Sequence, residues 1–269
     1  VRKCRRLLQG RVVFAPTMGA LHHGHASLIR MARRIAGKGG TVLVSIFVNP
    51  TQFGPKEDFS AYPRPLRNDL KTCRDAGADA VFLPSVTEIY PPEASVSINE
   101  TSLSSVLCGR SRVGHFSGVC TVVAKLFHIV SPTHAIFGEK DWQQLAIIRR
   151  MVRDLDFDLE IIPCPTVREP DGLAASSRNA YLTEAERQLA PQVYAALQTA
   201  SKKLTPVKVV SEAVKLITKI PGTRIDYIEA IDAQTLQPLR QRRTEGRLAA
   251  AVFLGKARLI DNIPLPAMP

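Results

Sequence analysis

The residues best suited to chemistry are His22 and His25, in the stretch Pro16-Thr17-Met18-Gly19-Ala20-Leu21-His22-His23-Gly24-His25. The apolar run Val12-Val13-Phe14-Ala15 precedes it and a helix-period stretch follows. A strand, a glycine-bearing turn and a helix start together aim backbone N–H groups and a helix dipole at phosphate. Histidines three residues apart share one face of a helical turn. Gly24 between them is expected to leave room for a ligand against the backbone. Zinc ligation is the competing chemistry, but a metalloprotease helix spaces its histidines by four, and the chain has no Cys-x-x-Cys. One histidine could also cap the helix while the others stay solvated.

Four further segments carry reactive or recognising side chains. Ser45 to Phe53 ends an apolar strand with the amides Asn49 and Gln52, which could bond a hydroxyl or carboxylate, or brace the turn around Pro50. Phe137-Gly138-Glu139-Lys140-Asp141-Trp142-Gln143-Gln144 joins a strand end to a helix start. There Gly138 permits close approach, Lys140 is a mobile point charge suited to phosphate, Asp141 could cap the helix, and Trp142 reads as packing. Val167 to Asn179 holds Ser176, Ser177 and Arg178, either a polyphosphate clamp or an ordinary polar loop. Gly109 to Phe116 is basic and glycine-flanked, a loop that could meet an anion or simply be a flexible surface segment.

Positioning such residues requires strand ends. Strands are expected at Val12 to Ala15, Val42 to Val48, Ala80 to Leu83, Ala135 to Phe137 and Leu159 to Ile162. Amphipathic helices are expected at Ala26 to Ala36, Leu66 to Ala76, Val119 to Val130 and Trp142 to Leu155. That alternation predicts an α/β fold with a parallel sheet. Three prolines between Pro163 and Pro170 predict a break. Beyond it the pattern is two helices (Glu184 to Leu204, Val207 to Ile220), a strand at Ile225 to Ile231, and a hairpin of Arg247 to Phe253 with Ala257 to Ile260 turning at Leu254-Gly255-Lys256. Residues 1–166 therefore read as one domain and 167–269 as a smaller α+β lid domain.

Composition sets outer bounds. The chain has 269 residues, 45% of them hydrophobic, enough for a real core. No apolar run approaches the roughly 20 residues of a membrane span. Val1-Arg2-Lys3-Cys4-Arg5-Arg6 lacks an apolar signal region, and the start on Val1 rather than Met suggests a short missing piece. Cys4, Cys73, Cys108, Cys120 and Cys164 are scattered, as idle thiols in a reducing cytoplasm would be. The net charge of +12 raises a nucleic-acid partner, yet basic residues are spread along the chain and aromatics are only 6%. Arg33-Arg34, Arg149-Arg150 and Arg240 to Arg243 read as solvated faces, and a basic surface also concentrates small anions.

The His-x-Gly-His pattern after a first strand resembles the nucleotidyltransferase superfamily. Taken with SIFVNPTQF, the YPR of Tyr62 to Arg64, GHFSGV, FGEKDWQQL and VREPDGLAASSRN in that order, the chain resembles the pantoate–β-alanine ligases from Val12 to about Leu182. Two positions depart from that pattern: Ala175, where Met or Leu is usual, and His23, commonly acidic or polar.

The resemblance implies a Rossmann-like nucleotidyltransferase domain that condenses (R)-pantoate with β-alanine, using ATP and Mg²⁺, through pantoyl adenylate. It implies catalysis by His25, His22, Lys140 and Arg178, with His25 a proton donor whose chemistry suits holding the leaving diphosphate. ATP would lie against Met18, Gly19, Ala20, Leu21, His22, His23, Gly24, His25, Gly138, Glu139, Lys140, Asp141, Val167, Ala175, Ser176, Ser177 and Arg178. Gln52 and Gln144 would hold pantoate, and Gln52 also β-alanine; metal ligands stay unassigned. A cytoplasmic homodimer is the accompanying expectation, with no nucleic-acid or membrane partner. The competing readings are another His-x-Gly-His nucleotidylyltransferase and a basic nucleic-acid-binding protein, the latter marked by steep salt dependence. Gly37-Lys38-Gly39-Gly40-Thr41 lacks the spacing of a Walker-type ATPase.

Overall fold

The computed structural model describes residues 10–55, 57 and 59–268. The expectations for the first six residues, Cys4 included, lie outside the described residues. Val12, Val13, Phe14 and Ala15 are wholly buried, as a strand covered on both faces must be. They open β1 (Val12–Thr17), followed by β2 (Thr41–Ile46), β3 (Ala80–Phe82), β4 (His134–Gly138) and β5 (Glu160–Cys164). All pair in parallel, in the order β3-β2-β1-β4-β5. The winding direction reverses between β1 and β4, and a crevice opens beyond strand carboxyl ends at such a switch point.

Helices cover both faces. α1 (His23–Ala36) and α2 (Leu66–Ala76) bring Ile29, Ala32 and Cys73 against Val13, Val42, Val44 and Ile136. After the short α3 (Val86–Ile89) and α4 (Cys108–Ser111), α5 (His115–Val130) and α6 (Trp142–Asp154) close the other face. There Phe14, Phe127, Phe137, Leu145 and Ile148 share one cluster. The chain continues through α7 (Glu184–Leu189), α8 (Pro191–Ser201) and α9 (Pro206–Ile217) into β6 (Thr223–Asp232), β7 (Gly246–Leu254) and β8 (Ala257–Leu265). These three strands form an antiparallel sheet. Leu197, Val209 and Ile217 pack on its Leu248, Val252 and Ile263. The fold is α/β with a smaller α+β unit behind it, as the alternation predicts.

Several local expectations need correction. The helix expected from Glu184 to Leu204 is two, because Pro191 lacks an amide hydrogen and starts α8 as its first residue. Pro163 lies inside β5, paired with Phe137; an edge strand tolerates it. Arg242 is not solvated: it is buried, donating to the carbonyls of Ser201 at 3.1 Å and Lys203 at 2.9 Å as well as to Pro266. Arg33 bonds Asp79. The segment from Gly109 to Phe116 is no flexible loop, since it holds α4 and the first turn of α5.

Candidate active site

Two cavities meet beyond the carboxyl ends of β1 and β4. One, of about 240 Å³, is lined by Met18, His22, His25, Gln52, Gly138, Lys140, Asp141, Gln144 and the strip from Ala175 to Arg178, among others. Gly24 and Val167 also line it. The second, of about 560 Å³, shares Lys140, Asp141, Gln144, Ser176 and Arg178 and continues towards β6, β7 and β8. Residues separated by up to 160 positions in the sequence are thus convergent.

The turn after β1 is held by a residue that the motif does not contain. Gly19 and Ala20 both adopt left-handed backbone, with φ of 84° and 50°. Asp69 of α2, almost wholly buried, accepts the N–H groups of Ala20 at 3.0 Å and Leu21 at 2.7 Å. A Cβ on Gly19 would lie 2.9 Å from the same carboxylate, so glycine is required there for space as well as for φ. One signal was available: Asp69 sits four residues before Cys73 and seven before Ala76, on the buried face of α2.

His22 caps the N-terminus of α1 and His25 lies in its first turn. Nδ1 of His22 accepts the N–H of Gly24 at 3.1 Å, and Nδ1 of His25 accepts the N–H of His22 at 3.3 Å. An acceptor nitrogen carries no hydrogen, so these bonds assign the neutral-ring proton to Nε2 in both rings. Burial, then the neighbouring His25 and Lys140, pushes His22 down to about 3. Burial and Lys140 push His25 down to about 4. Both rings are therefore uncharged at neutral pH, each offering one N–H donor. Gly24 also makes room for protein: a Cβ there would lie 2.8 Å from the His22 ring and 3.3 Å from Ala175.

The amides divide their roles. Asn49 is buried and braces the turn, donating to Gly118 O and Gln52 Oε1 at 3.1 Å each and accepting from Tyr90 at 2.9 Å. Gln52, in a 3-10 turn of residues 50–52, lines the cavity with its Nε2 3.0 Å from Met18 Sδ. Gln144 lines both cavities. Its neighbour Gln143, unremarked in the sequence, is buried and bonds Cys108 N, Leu103 O and Val106 O. Trp142 packs as expected, donating to Ala233 O and carrying Arg247 over its ring at 3.5 Å.

Lys140 stands on the 3-10 turn of residues 139–141 that follows β4, its side chain 18% exposed and 3.8 Å from Asp141. Asp141 precedes α6 without a side-chain cap bond, contrary to the capping expectation. Asn262 of β8 grips this turn, donating to the carbonyls of Glu139 at 2.9 Å and Lys140 at 3.0 Å. Ser176 caps the following short turn by accepting the N–H of Arg178 at 3.3 Å. Gly19, Ala20, Leu21, His23 and Glu139 do not line the cavity. Ala20 and Leu21 are tied through their N–H groups to Asp69, and Gly19 donates its own to Thr17 Oγ1 at 3.3 Å. His23 faces Glu169 at 3.4 Å, and Glu139 faces Arg247 at 3.2 Å.

A family model described as pantoate-beta-alanine ligase matches residues 1–264. The chain belongs to that family. Among pantoate-beta-alanine ligase relatives, a pantothenate synthetase of Akkermansia muciniphila is 52% identical over 258 residues, covering 94% of this chain and 92% of that protein. A pantothenate synthetase structure from Thermus thermophilus superposes with a TM-score of 0.91 at 42% identity, covering 98% of this chain and 97% of its own. A pantoate-beta-alanine ligase from Francisella tularensis, described as complexed with beta-gamma ATP and beta-alanine, gives 0.81 at 37% identity, with coverage of 97% and 93%.

The half-buried histidines of this pantoate-beta-alanine ligase make stability depend on pH in a defined window. His22, His25 and His115 are pushed from 6.5 to about 3, 4 and 4, burial being the first cause in each. As pH falls through 6.5 the unfolded chain takes up protons that the folded chain refuses until about pH 4, so stability falls with pH across that interval. Each unit of displacement corresponds to about 1.4 kcal/mol per group. Glu57, held down to about 2 by Arg112 against the opposing effect of burial, adds its loss only below the ordinary carboxylate range. Urea unfolding at pH 7.5, 6.5, 5.5 and 4.5 should show a steady decline from pH 6.5 downward. A flat profile to pH 5 would mean that the rings are charged in the folded state.

Proposed function

We propose that this chain joins (R)-pantoate to β-alanine, converting ATP to AMP and diphosphate by way of pantoyl adenylate. The observation that carries the proposal is the convergence, in one cavity, of two neutral imidazole donors and Lys140 with the amides of Gln52 and Gln144. Donors and a cation suit phosphate oxygens; uncharged amides suit a hydroxy acid.

In the first step a pantoate carboxylate oxygen bonds to the α-phosphorus and the bond from that phosphorus to the bridging oxygen breaks, releasing diphosphate. Negative charge grows on the phosphate oxygens. His22, His25, Lys140, Ser176, Ser177 and Arg178 stabilise it, the histidines through Nε2–H without adding charge. In the second step the β-alanine amine attacks the activated carbonyl carbon and AMP leaves. Gln52 and Gln144 hold pantoate in near-attack geometry throughout.

Magnesium fits the donor set as an ion carried by phosphate. Among the described residues no group of three or more His, Cys, Asp or Glu could hold a metal, whereas magnesium is usually held by one or two carboxylates plus substrate phosphates. Asp141, the acidic residue lining the first cavity, would supply that carboxylate. The ion would neutralise phosphate charge when bound.

We further propose a division at residues 166 and 167, with the second unit covering the site and excluding water from the adenylate. A cytoplasmic homodimer completes the reading. No helix among the described residues is long and apolar enough to cross a membrane.

Product analysis tests the reaction. With ATP and pantoate alone, diphosphate should form only to the level of bound adenylate; β-alanine should then allow turnover and AMP release. ADP as the main nucleotide product would indicate attack at the γ-phosphorus and sink the proposal.

A further inference from the structure

Arg112 and His115 belong to a glycine-flanked basic segment whose sequence could suggest an anion site. The structure uses that fork differently. Arg112 Nε and Nη2 each donate to Glu57 at 2.7 Å, one to each carboxylate oxygen, and Nη1 lies 2.9 Å from His115 Nε2. Its Nη2 also reaches Gln52 O at 3.4 Å. Most of its donors are committed inside the protein, leaving little for an external anion.

His115 is the end of this chain of contacts. Its Nδ1 lies 2.8 Å from the carbonyl oxygen of Gln52. A carbonyl only accepts, so the proton sits on Nδ1, and Nε2 is the acceptor for Arg112. This is the opposite tautomer from His22 and His25. One turn along α5, Gly118 meets the same loop. A Cβ there would lie 2.4 Å from Thr51 O and 2.7 Å from Gln52 N. His115 and Gly118 are three apart and share a helix face. One supplies the hydrogen bond and the other the space. Burial and then Arg112 push His115 down to about 4, which keeps the ring neutral.

We propose that His115 is a positioning residue for pantoate recognition, fixing the main chain of Gln52 while Glu57 and Arg112 fix the imidazole. It acts through Gln52, and the proposal rests on the reading of Gln52 as a pantoate ligand. The side-chain amide is held separately by Asn49 at 3.1 Å. Gln52 is thus clamped at both its carbonyl and its amide. Glu57, Arg112 and His115 line the second cavity, and their hydrogen bonds run to one another and to Gln52.

Three variants separate positioning from bulk. His115→Asn keeps a donor nitrogen at the same bond count from Cα as Nδ1, His115→Gln moves it to the position of Nε2, and His115→Leu removes it. His115→Leu and His115→Gln should raise the pantoate KM by about tenfold, the scale of one lost buried hydrogen bond, with the ATP KM and kcat little changed. His115→Asn should recover most of the loss. Equal effects on ATP and pantoate, or Asn no better than Leu, would overturn the proposal. Should the variants fail to fold, long-range proton–nitrogen NMR of the wild-type chain decides. A proton on Nδ1 of His115 at pH 7 supports the clamp; a proton on Nε2 refutes it. Absence of pantothenate formation by the wild-type chain would defeat the functional reading alone, and the NMR result would still decide the tautomer on which the clamp depends.

Discussion

Replacing Lys140 with alanine is expected to slow adenylate formation by about 10²–10³, the scale for losing one donor where charge develops. Folding should be nearly unaffected. The ion pair of Lys140 with Asp141, at 3.8 Å, is long, and pairs of this kind near the surface stabilise by only about 0–1 kcal/mol. The turn itself is held through main-chain carbonyls by Asn262, which does not depend on the lysine side chain. Rapid-quench single turnover with ATP and pantoate measures the step. Supplying preformed pantoyl adenylate with β-alanine should bypass much of the defect, because no diphosphate then has to leave. Near-normal single turnover in a well-folded Lys140→Ala protein would remove Lys140 from the catalytic set.

The largest stability effect is expected at Asp261. This carboxylate, 8% exposed, takes both Nη groups of Arg168 at 2.7 and 2.9 Å and also accepts the N–H of Asn262 at 2.8 Å. Arg168 in turn stacks on Tyr194, with its guanidinium carbon 3.4 Å from the ring centroid. Asp261→Ala leaves a largely buried cation without its partner, at a cost of about 3–5 kcal/mol. For a chain of this size that lowers Tm by about 10 °C. Removing both charges in an Arg168→Met, Asp261→Leu double variant should be less damaging than the single change. Calorimetric melting of the three proteins checks this; an Asp261→Ala melting point within about 2 °C of the wild type would show that the pair holds nothing together.

The sheet was legible because burial on both faces forces near-continuous apolar runs, and Val12 to Ala15 is such a run. The histidine pair was legible because its partners are each other and Gly24, all within one helical turn. Asp69 was harder to find: its partners Ala20 and Leu21 are 49 and 48 residues away, and only the fold makes them neighbours. Arg242 misled because sequence composition registers a charge but not the three carbonyls that enclose it. Glu139 illustrates the same limit within a matched motif. It adjoins Lys140, yet the 3-10 turn sends it to Arg247 and away from the cavity. Gln143 and Gln144 are adjacent in sequence, yet the direction of α6 buries Gln143 with its amide bonded to Cys108, Leu103 and Val106, and only Gln144 reaches the first cavity.

The two bonds from Asn262 to the main chain of Glu139 and Lys140 also act as an interlock. Separating β8 from the parallel sheet would break both bonds and release the turn that carries the ammonium. The small antiparallel sheet and the cation of the large one are therefore mechanically coupled: the seat of one sets the aim of the other.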